Sequence, residues 1–114
     1  MTEKYPLKER RCVPCDGTTP ALTLAESEQH LGQLASGWSL NEAGTEIRKK
    51  FRFKNFYRTM AFVNLLAWIA HNEDHHPDLE VGYGHCVVCF STHAIGGLSE
   101  NDFICAAMID ALNP

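Results

Sequence analysis

The sequence predicts an α+β domain: a four-stranded antiparallel sheet with helices packed on one face. Three observations predict it. Capping boxes, Thr23 with Glu26 and Ser99 with Asp102, open two helices. A third helical segment, apolar almost all round, runs through Met60 to Ala70. Stretches of period-two alternation lie between the helices, clearest from Glu46 to Phe53. The order that results is helix, strand, strand, helix, strand, strand, helix.

Residues 1–21 carry Pro6, Pro14, Gly17 and Pro20 without periodicity, and are expected to form an irregular arm ahead of one domain over 22–114. The first helix is expected from about Leu24 to Ala35, with Leu24, Leu31 and Leu34 near one face and Gly37 as its stop. Trp38 to Leu40 reads as a short strand, followed by a turn through Glu42, Ala43 and Gly44. In the next strand Ile47, Phe51 and Phe53 point one way and Glu46, Arg48, Lys50 and Arg52 the other, so the basic residues form a solvated outer face.

Asn55 is the expected N-cap of the second helix, which runs to about Asn72. A sheet covers one side of such a helix, so its all-round apolar surface predicts a second subunit as the other cover. Pro77 prevents continuation, an extended stretch follows, and Gly82 and Gly84 flank Tyr83 in a turn. Cys86 to Ser91 is the last strand, with Cys86, Val88 and Phe90 on one face. The final helix begins after Ser99, with Leu98 and Phe103 as a hydrophobic staple, and runs to about Leu112.

Composition narrows the function. A chain of 114 residues with net charge -4 fits one domain and has no basic footprint for nucleic acid or anionic membranes. The longest apolar run has 11 residues and contains Asn64, whereas a bilayer span needs about 20. The charged N-terminus lacks a signal-peptide core, so a soluble cytoplasmic protein is expected. Five cysteines, an odd count, read as free thiols in a reducing compartment.

The chemistry-bearing residues are histidines. His71, His75, His76 and His85 gather around the junction of the second helix with the last two strands, and His93 ends the final strand. Imidazoles donate and accept protons near neutral pH, so such a cluster suits a reaction needing both acid and base. A second reading is zinc on His71 and His75 with His93 or an Asp as third ligand, but His71 lacks the Glu directly after it that the metalloprotease motif needs. The pairs Cys12/Cys15 and Cys86/Cys89 evoke a four-thiolate site, yet a strand would turn Cys86 and Cys89 to opposite faces.

The pattern His71-x3-His75-His76-Pro77-x5-Tyr83-x9-His93-x8-Asp102 resembles that of the pterin-4a-carbinolamine dehydratases. Gly37-Trp38, Phe51 to Phe56, Met60 to Phe62 and Gly97 to Glu100 are similar too, so the likeness covers about residues 22–112. It implies dimers paired through sheet edges and tetramers assembled through helices. It implies loss of water from 4a-hydroxytetrahydropterin, giving quinonoid dihydropterin and recycling the pterin of aromatic amino acid hydroxylases, with no metal or organic cofactor. On this resemblance His75 and His93 protonate the leaving hydroxyl, and His76 positions the pterin and acts as base. Asp74 hydrogen-bonds the ring or orients a histidine, Asp102 braces His93, and Trp38 walls the pocket or packs in the core. The chain departs from the family at His71, where many members carry Glu, and at Ala94-Ile95, where animal members carry Glu-Cys. Animal relatives also stabilise dimers of a transcription factor, so a non-catalytic dimerisation module is the alternative function.

Overall fold

Thr23 opens the first helix as its side chain requires: its hydroxyl accepts the Glu26 N–H at 3.2 Å, and the Glu26 carboxylate accepts the Thr23 N–H at 2.8 Å. In the computed structural model, which describes residues 6–112, this helix, α1, spans Leu24–Leu31 and is capped by Gly32. It is shorter than the sequence suggested. Gly37 acts later, at φ +108°, turning the chain into β1, Ser39–Leu40. That φ favours glycine because a Cβ would crowd the backbone.

Strand β2, Ile47–Arg52, keeps the expected alternation, with Ile47 and Phe51 buried and Arg48, Lys50 and Arg52 exposed. Helix α2, Phe56–Glu73, starts at Asn55, whose side chain accepts the Arg58 N–H at 2.9 Å. β3, Asp78–Val81, and β4, His85–Phe90, form a hairpin. At its turn the His85 ring packs against Gly82, where a Cβ would force the ring to shift. Helix α3, Glu100–Asp110, completes the order.

The four strands form one antiparallel sheet in the order β1-β2-β4-β3. The architecture is the predicted α+β one. Ile47 and Phe51 of β2 and Cys86, Val88 and Phe90 of β4 join Phe62 and Leu66 of α2 and Phe103, Ile104 and Ile109 of α3 in one core. Leu98 and Phe103, the expected staple pair, are both fully buried. No described helix is long and apolar enough to cross a membrane.

Of the two places open to Trp38, the structure takes the core, where its indole N–H donates to both oxygens of Asp110 at 3.0 and 3.1 Å. It is not a wall of the cleft described below. Residues 6–21 hold no strand and no helix beyond a single 3-10 turn, yet they are not peripheral. Leu7, in a single 3-10 turn over Leu7–Glu9, is buried in the core and packs on α3.

On α2, Phe62, Leu66, Ile69 and Ala70 face inward. Tyr57, Ala61, Leu65 and Trp68 form a strip on the open side, with Leu65 at 52% and Trp68 at 67% exposure. The all-round apolar pattern therefore has a covered half and an open half.

Candidate active site

Helix α2 ends at Glu73, two residues before the first histidine of the pair. Asp74 takes the left-handed conformation, φ 50° and ψ 43°, and its N–H caps the helix on the carbonyls of Ala70 and His71. Asp tolerates this region better than most residues, because its short polar side chain bonds locally. The turn swings His75 and His76 out of the helix, with the His75 N–H returning to the Ala70 carbonyl at 3.1 Å. The exit is thus set by Asp74, and Pro77 follows it into β3. His71 stays on the helix, exposed, while His75 lies beyond the helix end.

The other half of the site comes from the end of β4. Thr92 pairs with Gly97 across a small loop, N–H to carbonyl at 2.8 Å, and the turn His93–Ile95 lies inside it. His93 and Ala94 are exposed on this loop.

The two exits meet at a cleft of about 700 Å³. Asp74, His75, His76 and His93 all line it. His71 and Trp38 are not among its lining residues. His76 and His93 are exposed, whereas the His75 side chain is 11% exposed and its ring lies parallel to Phe90 at 5.9 Å.

Asp102 sits behind His75. Its side chain is fully buried, and Oδ1 lies 2.6 Å from His75 Nε2. Oδ2 accepts the Thr92 hydroxyl at 2.8 Å and the Ser99 N–H at 2.9 Å. The last contact is one half of the expected capping box, so Asp102 is both helix cap and histidine partner. Its histidine is His75, correcting the expectation that it braces His93. A carboxylate at one imidazole nitrogen fixes the ring's orientation and leaves the other nitrogen for proton transfer.

The same contact bears on the zinc reading. His75 Nε2 is engaged by Asp102 rather than shared with His71. Among the described residues no group of three or more His, Cys, Asp and Glu is arranged to hold a metal ion. Cys86 is buried, and burial pushes its thiol up to about 11. Cys12 Sγ lies 3.5 Å from Cys105 Sγ, and that hydrogen bond, together with burial, pushes the Cys105 thiol far above the ordinary range. Both buried cysteines are therefore held as neutral thiols in this structure.

The sequence reading missed the arm's part in the cleft. Cys12, Val13, Pro14 and Cys15 line the same space as the histidines. No periodicity points there, and the Cys12/Cys15 pair does not reveal it, because the contacts join the arm to residues 61 to 88 positions away.

Comparison with known proteins places this geometry in a family. The model of the family described as Pterin 4 alpha carbinolamine dehydratase matches residues 20–112. A protein of Nitrosomonas europaea named "Putative pterin-4-alpha-carbinolamine dehydratase" is 56% identical over 112 residues, covering 98% of this chain and 97% of its own. The crystal structure of a transcriptional coactivator/pterin dehydratase from Brucella melitensis superposes with a TM-score of 0.78 at 30% identity, over 82% of this chain and 99% of that one. A pterin dehydratase-like protein identified as a RuBisCO assembly factor in the alpha-carboxysome gives 0.59 at 25% identity, over 67% and 88%.

Proposed function

The chain belongs to the pterin 4 alpha carbinolamine dehydratase family, and from that premise we propose that it removes water from 4a-hydroxytetrahydropterin by histidine acid–base catalysis. One observation carries the reading: His75, His76 and His93, delivered by two different chain exits, line a single cleft, with His75 tied to the buried Asp102.

The reaction needs a proton for the C4a hydroxyl as it leaves and a base for the N5 proton as the C4a–N5 double bond forms. His75 and His93 supply the proton to the hydroxyl. His76 positions the ring and takes the N5 proton. Asp102 keeps the His75 ring aimed, and Asp74, exposed at the rim, accepts hydrogen bonds from the pterin edge. Water leaves with one proton gained at oxygen and one lost at nitrogen, so the histidines end in the same total protonation state. The product, quinonoid dihydropterin, is returned for reduction, which ties the enzyme to a pterin-dependent aromatic amino acid hydroxylase in the cytoplasm.

The open strip of Leu65 and Trp68 supports assembly of the protein into dimers or tetramers through α2. The same strip favours the second reading, a binding module that works by assembly alone, in keeping with the coactivator and assembly-factor names of the structural relatives. An assay following the absorbance of freshly generated 4a-carbinolamine separates the two. The dehydratase speeds its decay in proportion to enzyme concentration. A folded oligomer that leaves the decay at the buffer rate would favour the binding module.

A further inference from the structure

We infer that the arm segment Cys12–Cys15 is the apolar wall of the substrate cleft and governs how tightly the pterin is held, with Glu73 and Asn101 as the positioning residues that fix it. The inference rests on the dehydratase reading of that cleft.

The segment is clamped from two helices. Glu73, the last residue of α2, accepts the Cys12 N–H on Oε1 at 2.8 Å and the Arg11 side chain on Oε2 at 2.8 Å. Its side chain is only 6% exposed. Asn101, in the first turn of α3, accepts the Val13 N–H at 3.0 Å and donates to the Val13 carbonyl at 2.5 Å. Buried polar groups of this kind are costly to leave unpaired, so the backbone they hold is strongly specified. Upstream, Leu7 anchors the arm in the core. The Cys12 thiol meets Cys105. A segment held at so many points is a wall and not a loose tail.

The clamps adjoin the catalytic machinery in sequence. Glu73 precedes Asp74 and the histidine pair, and Asn101 precedes Asp102. The turns that aim the histidines therefore also set the arm.

The cleft needs what the arm supplies. Among the described residues lining it, Pro77 and Ala94 are the only apolar ones outside the arm. A pterin is a flat ring with a polar edge and two poorly solvated faces. Sites for such ligands are mostly apolar with a few aimed polar groups. The Asp74 and histidine side chains can serve the edge, while a face needs carbon contact. Val13 offers it: although it lines the cleft, it remains 64% exposed, an aliphatic surface open for a ligand to cover. The family model begins at residue 20 and leaves this segment out, whereas the Nitrosomonas europaea relative aligns over 98% of the chain.

Steady-state dehydration kinetics on the full chain test the inference. Trimming the wall with Val13→Gly should raise KM about ten-fold with kcat held within about two-fold, the signature of lost uniform binding. Asn101→Ala, which frees the segment, should raise KM at least as much. Asn101→Asp keeps the acceptor for the Val13 N–H but turns a carboxylate oxygen to the Val13 carbonyl, and should recover none of the loss. An unchanged KM in Val13→Gly overturns the inference, and so does a fall in kcat alone. Should Asn101→Ala fail to fold, Val13→Gly still decides, because Val13 is a surface residue. A wild-type chain without turnover would refute the dehydratase reading, and binding of 7,8-dihydrobiopterin, followed by fluorescence, then tests the wall. Ten-fold weaker binding by Val13→Gly sustains it. Equal binding, or none by the wild type, overturns it.

Discussion

Helix α3 carries a fully buried carboxylate in its first turn and a largely buried one at its end, and the two are built for different work. Asp110, its last residue, faces the negative end of the helix dipole, where a carboxylate is disfavoured. It is held there by the Lys49 ammonium at 2.8 Å, the Trp38 indole N–H and the Ala35 N–H at 3.1 Å. Lys49 also sits 4.7 Å from the centre of the Phe51 ring, so its charge is shared between a carboxylate and a ring face. Every partner is fixed in charge, and none reaches the cleft. Asp102, in the first turn, has the favourable end of the dipole and two neutral donors, Thr92 and Ser99. Its third partner is His75, the only one of the six whose side chain is an imidazole, able to donate or accept a proton. The difference teaches where function was placed: a carboxylate supported by neutral donors can orient an imidazole, whereas one tied to a lysine can only brace the fold.

The largest effect expected from this contrast is on rate. Asp102→Asn keeps the size of the side chain but replaces a carboxylate oxygen by an amide group beside His75. Dehydration kcat should fall by about 100-fold, with the circular dichroism of the folded state retained. A loss of less than about three-fold would make Asp102 a helix cap and nothing more. The effect at the other end is smaller and falls on stability. Asp110→Ala strands a largely buried ammonium, and unfolding in urea should show a loss of about 3 kcal/mol. At temperatures where the variant is folded, kcat should stay within about two-fold of wild type. A rate loss there as deep as that of Asp102→Asn would erase the distinction between the two ends.

Much of this was legible in the chain. Two-residue alternation gave β2 its inward Ile47 and Phe51, and the Thr23, Asn55 and Ser99 caps placed three helix starts. Local chemistry writes these features, so a local reading finds them. Lys49 escaped because it lies on the inward-pointing side of β2, where period two leads one to expect an apolar residue. Its partner Asp110 is 61 positions away. The pairing of Asp102 with His75 rather than His93 escaped for the same reason: spacing brings either histidine near, and only the turn at Asp74 decides which ring reaches the carboxylate. The arm was the least legible part. Its sequence has no period, and its contacts with Glu73 and Asn101 exist only once both helices are in place.

The central claim is that the clustered imidazoles carry the chemistry, and the rate of 4a-carbinolamine decay with the His76→Ala/His93→Ala double variant tests it most directly. A decrease in kcat of about 100-fold or more, with oligomer and melting temperature preserved, is the predicted result. A double variant that dehydrates the carbinolamine at the wild-type rate would contradict the account.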